Sequence, residues 1–146
     1  MKNLRTKIAQ QTLKLLKTHE WKSISINMIC DTLKLNKKKI SSNIKSKKDL
    51  LKHINQYFDD LILVKIKSVE KSTPKDMIFE IFMLRFDLLN RYRFSIEKIF
   101  KAFKYNPKNF IILIPSFINS IEIMAKSSNI ETKGIIGSVK VKGLLV

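Results

Sequence analysis

Residues 25–51 read SINMICDTLKLNKKKISSNIKSKKDLL and contain two short helical patterns on either side of a tight turn. The second pattern carries three consecutive lysines, at positions 37–39, on its polar side. Its apolar side carries Leu35, Ile40 and Ile44. A short helix with a narrow apolar seam and a free basic face is typical of a helix-turn-helix, whose second helix enters the major groove of DNA. This segment therefore indicates DNA binding.

The composition of the whole chain is that of one all-α domain. Hydrophobic residues make up 45% of the 146 residues, which is enough for a core, and only 3 glycines and 3 prolines interrupt them. Apolar residues recur at steps of three and four, while the alternation typical of strands is scarce. We therefore expect an all-α fold.

The positive charge is concentrated in the first part of the chain. The formal net charge is +17. Residues 1–56 hold 14 Lys and Arg against 3 Asp and Glu, and residues 57–146 hold 15 against 9, so the two parts carry +11 and +6. Such a charge favours polyanions, with nucleic acid first and an acidic membrane surface second. An AT-rich genome, which enriches Lys, Ile and Asn, is an alternative source of the total charge, but it explains the asymmetry less well.

The sequence also indicates where the protein resides. Its one cysteine, Cys30, excludes an internal disulfide framework and fits a reducing cytosol, and we expect it to be a packed thiol. Residues 1–16 lack the continuous apolar stretch of a signal peptide. The longest apolar run, 110–118, is interrupted by Pro115 and is too short to span a bilayer. We expect a soluble, cytoplasmic protein.

Capping residues predict where the helices begin. Ser25 and Asn36 would cap the two short helices, and Ser46 with Asp49 would form a capping box for a long fourth helix. Thr73, followed by a proline, opens a fifth helix. The predicted helices cover residues 3–18, 26–33, 37–44, 47 onward, 74–90, 95–104 and 107–127, the last with a kink at Pro115.

The segment 8–51 resembles the TetR family of bacterial transcriptional regulators. Trp21 matches the end of that family's entry helix, Ser25-Ile26 with Ile29-Cys30 matches its Thr-Val-x-x-Ile-Ala element, and residues 34–50 match the helix-turn-helix that follows, without a gap. The match covers about a third of the chain. It implies a three-helix DNA-binding head, residues 1–47, followed by a helical body, residues 48–146, that dimerises.

Three positions depart from the family pattern. Lys34 stands where the family has its turn glycine, so we expect a left-handed or distorted backbone there, at some cost in free energy. Lys38 replaces a small residue of the recognition helix, and Ser41 replaces a tyrosine that usually touches a phosphate. These changes would keep phosphate affinity high while weakening direct base reading.

The second half is similar to a TetR-like subgroup that shares its fold with a lipid-binding accessory protein of ubiquinone biosynthesis. The similar segments are 78–90, with Met83-Leu84-Arg85-Phe86-Asp87 at its centre, Pro107, and 121–137. In such relatives the chain usually continues past the part matching 137–145 into further helices. The resemblance thus implies a body that is truncated at its C-terminus, or a dimer interface that is built differently.

The predicted DNA-binding residues fall into two groups. Side chains of and next to the second short helix could reach base edges, since Lys donates to guanine and Asn pairs with adenine. The remaining residues would hold phosphates. The base-reading group is Asn36, Lys37, Lys39, Ser42 and Asn43, and the phosphate group is Ser25, Lys38, Lys47 and Lys48. The alternative is that three consecutive lysines form an ordinary solvated helix face.

The body is rich in phenylalanine, which could line a pocket for a hydrophobic effector. An ordinary filled core is the alternative that helical spacing favours. Arg85 has apolar neighbours, and a structural ion pair is the interpretation we favour for it. The candidate pocket residues are Phe79, Phe82, Phe86, Phe100, Phe103, Phe110 and Phe117.

The residues that catalysis would need are sparse. His19 is predicted in a loop and His53 on the polar side of a helix, and neither has metal-ligand spacing to a second ligand. Asp59 and Asp60 are interpreted as a solvated acidic pair on a helix surface. We expect no enzyme activity, no metal and no cofactor.

Three hypotheses for function stay open at this stage. The first is an all-α TetR-like regulator that binds double-stranded DNA, with a homodimer and a hydrophobic or lipid effector as further expected partners. The second is a lipid-binding accessory protein of ubiquinone biosynthesis whose helix-turn-helix is a relic, which Lys34, Lys38 and Ser41 favour. The third is the product of a degraded reading frame that lacks a working dimer.

Overall fold

A computed structural model describes residues 2–42, 44–69, 73–105, 107–111 and 114–127. These residues form helices and no strand, which confirms the all-α fold class. In chain order the helices are α1 (Lys2–Leu15), α2 (Ile26–Leu33), α3 (Lys37–Ser41), α4 (Lys47–Ile66), α5 (Pro74–Arg91), α6 (Arg93–Lys104), α7 (Lys108–Ile111) and α8 (Ile114–Ser127).

Local hydrogen bonds fix the starts of these helices where the sequence predicts them. Ser25 has an extended backbone, and its hydroxyl oxygen accepts from the Met28 N–H at 3.2 Å. The Asp49 carboxylate accepts from the Ser46 N–H and hydroxyl at 3.0 and 3.1 Å. The Thr73 hydroxyl accepts from the Asp76 N–H at 3.3 Å. The predicted starts of α2, α4 and α5 are therefore confirmed.

Two predicted helices end earlier than expected. The first helix, predicted to reach residue 18, ends at Leu15 and continues as a turn. The third was predicted to reach Ile44, but α3 ends at Ser41. The Ile44 N–H nevertheless donates to the Ile40 carbonyl at 2.9 Å. This hydrogen bond has the four-residue spacing of an α-helix.

The last predicted helix is described as two segments, α7 and α8. Pro115 is the second residue of α8, in the first turn, where its missing N–H costs no helical hydrogen bond. The junction at residues 112–113, where a kink would fall, and the residues after Ser127 lie outside the described residues.

The long helix α4 is the centre of the core and packs against α1, α5 and α8. Its buried apolar face includes Leu50, Ile54, Phe58 and Ile62. The same apolar cluster extends into the first helices through residues of α1, α2 and the loop between them, which are Ile8, Leu13, Trp21, Ile24, Ile29 and Cys30. Cys30 is buried, which confirms the predicted packed thiol. The N-terminal helices and the rest of the chain therefore share one continuous core.

Polar contacts also tie α1 to the later helices. The Ser95 hydroxyl of α6 donates to the Leu13 carbonyl of α1 at 2.7 Å in a buried position. Gln10 donates to the Tyr57 hydroxyl at 3.1 Å, and that hydroxyl lies 3.1 Å from the hydroxyl of Tyr92. Burial, followed by this hydrogen bond, raises the pKa of Tyr92 to about 12. A movement of α6 would therefore displace α1 or break the hydrogen bond between Ser95 and Leu13.

Two polar residues of α4 are more buried than the sequence suggests. Asp59, interpreted as part of a solvated pair, is only 7% exposed, and His53, predicted on the polar side of its helix, is only 8% exposed. Both interpretations are wrong for the same physical reason. They assume that α4 has one solvent-facing side, whereas α1, α5 and α8 all pack against it.

Candidate nucleic-acid interface

The turn between α2 and α3 contains one residue with a left-handed backbone, Lys34. This residue has φ 52° and ψ 40°, and it is the only non-glycine residue with positive φ in the part of the chain that the structure describes. Its N–H donates to the Asp31 carbonyl at 3.2 Å, and the Leu35 N–H donates to the Cys30 carbonyl at 3.0 Å. This pair of bonds closes the end of α2 as a Schellman motif does. The expected left-handed backbone at the glycine position of the resemblance is confirmed.

Asn36 starts α3 and uses half of its amide to do so. Its Oδ1 accepts from the Lys38 N–H at 3.0 Å, which caps the helix. The oxygen keeps a second lone pair, and the cap does not use the NH2 group. Bidentate pairing with adenine needs both atoms, and the cap restricts it to the one orientation in which it holds the amide.

The short helix α3 turns its lysines outward and its isoleucine inward. Lys37 and Lys38 are exposed, whereas Ile40 and Ile44 are 0% and 1% exposed and anchor the segment to the core. Ser42, which follows α3, is exposed. The side chain of Lys39 and the whole of Asn43 lie outside the described residues. The described part of the predicted recognition face is therefore basic and accessible.

Lys47, a predicted phosphate contact, has a structural role that sequence reasoning missed. Its Nζ donates to the carbonyls of Trp21 and Lys22 at 3.0 and 2.7 Å and lies 5.8 Å from the centre of the Trp21 ring. Burial lowers the pKa of Lys47. The ammonium has three donors, so one remains for a phosphate. Its neighbour Lys48 is exposed.

Ser25, another predicted phosphate contact, lies at the start of α2. It is half-buried, and its hydroxyl oxygen is used by the cap of α2. The hydroxyl hydrogen can still donate to a phosphate, because a hydroxyl both accepts and donates. Ser25, Lys37 and Lys48 thus lie at the starts of α2, α3 and α4, and their roles on DNA stay predictions.

The body contains an apolar cavity of about 100 Å³ between α4, α5, α6 and α8. Three of the seven candidate pocket phenylalanines line it, namely Phe100, Phe103 and Phe117. The side chain of Phe110 lies outside the described residues. The structure therefore brings together only part of the predicted set.

The other three phenylalanines lie on the outer face of α5. Phe79, Phe82 and Phe86 are 62%, 54% and 66% exposed, and the structure does not bring them to the cavity. The buried residues of α5 are Met77, Ile81 and Leu88, whose steps of four and seven form one stripe. That stripe packs on α4, so residues one or two positions away from it, about 100–200° around the helix, face outward.

A buried polar network closes one side of this cavity. The Arg85 guanidinium donates to Asp59 Oδ1 at 2.7 Å and to Asn55 Oδ1 at 2.5 Å. The favoured interpretation of Arg85 as a structural ion pair is therefore confirmed, with Asp59 as the partner. The Ser120 hydroxyl of α8 donates to Asp59 Oδ2 at 2.5 Å and accepts from the Asn55 amide at 2.8 Å.

This network was not predicted from the sequence, although the spacing of its polar residues is visible there. Asn55 and Asp59 are four residues apart on α4, and Ser116 and Ser120 are four residues apart on α8. Asn55 donates to both serines, at 3.1 and 2.8 Å. Two polar pairs at matched helical spacing, each within an otherwise apolar face, are the signal that could have indicated a shared buried contact.

The described residues lack two features of other functional classes. They contain no group of three or more His, Cys, Asp or Glu that could hold a metal ion. No helix among them combines the length and the apolar character that crossing a membrane would require. Comparison of the chain with protein-family models, with curated proteins and with solved structures gives no match.

Proposed function

We propose that this protein is a DNA-binding transcriptional regulator of the TetR type, with α3 as its recognition helix. One observation carries the proposal. The segment of α3 is anchored by the buried Ile40 and Ile44 while Lys37 and Lys38 are exposed on its other side. A rigidly held, basic helical edge is the element that the major groove of DNA accepts.

The surrounding residues suggest how the duplex would be held. Ser25 and Lys48, at the starts of α2 and α4, would contact phosphates on either side of the groove, which positions the protein without reading sequence. Lys37 would donate to guanine acceptors. The helix cap fixes the orientation of the Asn36 amide, so adenine reading by that residue is restricted to that orientation. The proposal is therefore high phosphate affinity with modest base specificity.

Regulation would act through the body. A second copy would place a second recognition helix about 34 Å away, one turn of the duplex. The cavity of about 100 Å³ is smaller than the roughly 300–1,000 Å³ of ordinary ligand pockets. A hydrophobic effector would therefore have to move α6 away from α4. Because Ser95 of α6 is bonded to Leu13 of α1, that motion would reach the head and shift the spacing of the two recognition helices.

The test is charge reversal on the recognition helix. Lys37→Glu with Lys38→Glu should abolish binding to a labelled random-sequence duplex, measured by fluorescence anisotropy, while circular dichroism shows unchanged helicity. The matched control is Lys67→Glu with Lys75→Glu, two exposed lysines near the far end of α4 and the start of α5. Twenty residues of α4 separate them from the head by about 30 Å. Equal loss in both variants would show that only total charge matters.

A lipid-binding accessory protein is the second candidate, and the exposed stripe of Phe79, Phe82 and Phe86 favours it. Contiguous exposed aromatic residues mark surfaces that contact other molecules, including lipids. Lipid found by mass spectrometry of the purified protein, together with no retention on DNA at physiological salt, would decide for this candidate. DNA retention without lipid would decide for the regulator.

A further inference from the structure

A second basic surface lies outside the helix-turn-helix. The loop between α1 and α2 and the C-terminal end of α6 enclose an open cleft of about 390 Å³. The loop contributes Trp21 and Lys22, and α6 with the residue after it contributes Lys101, Lys104 and Tyr105. None of these α6 residues was singled out by the sequence, because α6 is separated from the loop by about 75 residues and only the fold brings them together.

The cleft carries an excess of positive charge. Its one acid, Glu20, lies 3.4 Å from the Lys98 ammonium, which also donates to the His19 carbonyl at 3.3 Å, so these two charges cancel. In the described residues no carboxylate forms a salt bridge with Lys22, Lys101 or Lys104. Three positive charges therefore surround one concavity and attract anions to it.

Aromatic rings complete the cleft. The Lys22 ammonium lies 5.4 Å from the centre of the Tyr105 ring, and Tyr105 is 78% exposed. Tyr105 is the exposed ring of the cleft, since Trp21 is only 6% exposed. The lysines around it are the side chains that bind the phosphates of a nucleic-acid backbone. A metal ion or a cationic ligand would be repelled by the same surface.

The cleft adjoins the proposed DNA-binding head. The Lys22 carbonyl accepts from Lys47 at 2.7 Å, so the loop that forms one wall of the cleft is bonded to the first residue of α4. Lys48, a predicted phosphate contact, is the next residue. The start of α4 is thus in contact with the loop that carries Lys22, and Lys22 lines the same cleft as Lys101 and Lys104.

We propose that the DNA interface extends beyond the head, and that the backbone of the duplex flanking the groove occupied by α3 enters the cleft between Lys22 and the end of α6. This inference rests on the proposed function, and it adds a second set of phosphate contacts to it. Helix α6 then has two roles on its two faces. Ile99 and Phe103 line the body cavity, while Lys101 and Lys104 hold phosphates. An effector that displaces α6 would remove DNA contacts directly, in addition to moving the head.

The experiment measures binding to a random-sequence duplex of about 30 base pairs, which is nearly three helical turns long. The wild type is compared with a double variant of the full chain that carries both Lys101→Gln and Lys104→Gln, and binding is followed by anisotropy as a function of salt. In the double variant the slope of log affinity against log salt should become shallower by about 1.8, since each phosphate contact contributes about 0.9.

The controls separate this inference from the proposed function. The double variant Lys67→Gln with Lys75→Gln removes the same charge from the distant surface and should leave the slope unchanged. If the α6 variant keeps the wild-type slope while Lys37→Glu with Lys38→Glu abolishes binding, the head binds DNA and the cleft inference is wrong. If the wild type does not bind the duplex, the proposed function is wrong and the cleft inference is overturned with it.

Discussion

The left-handed backbone at Lys34 leads to a prediction whose size can be worked out. A residue with a Cβ held at φ 52° and ψ 40° costs roughly 1–2 kcal/mol relative to glycine. Glycine, however, loses about 0.5–1 kcal/mol more backbone entropy on folding. Lys34→Gly should therefore raise the free energy of unfolding by roughly 0.75 kcal/mol, the middle of the range of about 0–1.5 kcal/mol that separates these two effects.

The assay is urea and thermal unfolding followed by circular dichroism. For a chain of this length the gain corresponds to a rise in Tm of about 2–4 °C. Lys34→Ala is the matched control, because it removes the same charge and side chain but keeps the Cβ. We expect no gain from alanine.

Two results would contradict this reasoning. If glycine and alanine stabilise the protein equally, the effect comes from removing one lysine from a basic head, and the backbone carries no such cost. If glycine destabilises the protein, the side chain of Lys34 makes a contact whose loss outweighs the relief of the left-handed conformation.

Two further predictions concern carboxylates of α4. Asp59→Ala should lower the free energy of unfolding by about 3 kcal/mol, because it leaves the Arg85 guanidinium buried without its anion. In urea unfolding, the double variant Asp59→Leu with Arg85→Met should recover most of that loss. If the losses in free energy from the two positions simply add in the double variant, the coupling is refuted. Asp49 is affected first by burial, which would raise its pKa, but hydrogen bonds from the Lys45 N–H and from Ser46 hold the pKa below its ordinary value of 3.8. The stabilising effect of the Asp49 carboxylate is therefore complete above the pKa that this group has in the unfolded chain, and it is lost as the pH falls below about 4. The difference in free energy of unfolding between the wild type and Asp49→Asn should accordingly narrow below about pH 4. A difference that does not change with pH would contradict the capping role.

Features determined by neighbouring residues could be predicted from the sequence. The starts of α2, α4 and α5 depend on hydrogen bonds spanning three residues, such as that between Ser25 and Met28, so the capping residues alone locate them. The left-handed backbone of Lys34 could be anticipated as well, because the family that the segment resembles has a glycine at this position. The end of α3 could not, since the balance between one more turn and a loop depends on what packs beyond Ile44.

Features determined by packing between distant helices could not be predicted. Whether Asp59 is solvated depends on α5 and α8 covering α4, which no pattern within α4 states. Phe82 and Phe103 both fit an apolar helical stripe, yet one is exposed and the other buried. Lys47 looks like any other lysine of a basic head until the fold brings the Trp21 and Lys22 carbonyls, about 25 residues away in sequence, to its ammonium.

The proposal that α3 enters a DNA duplex is tested most directly by a nuclear magnetic resonance titration of the isotope-labelled protein with a duplex of about 12 base pairs. We expect the backbone amide signals that shift most to cluster on α3 and on the first turns of α2 and α4, around Ser25, Lys37 and Lys48. The reverse pattern, with α3 unchanged and the largest shifts around Phe82 on α5 or no shifts at all, would contradict a DNA-binding head.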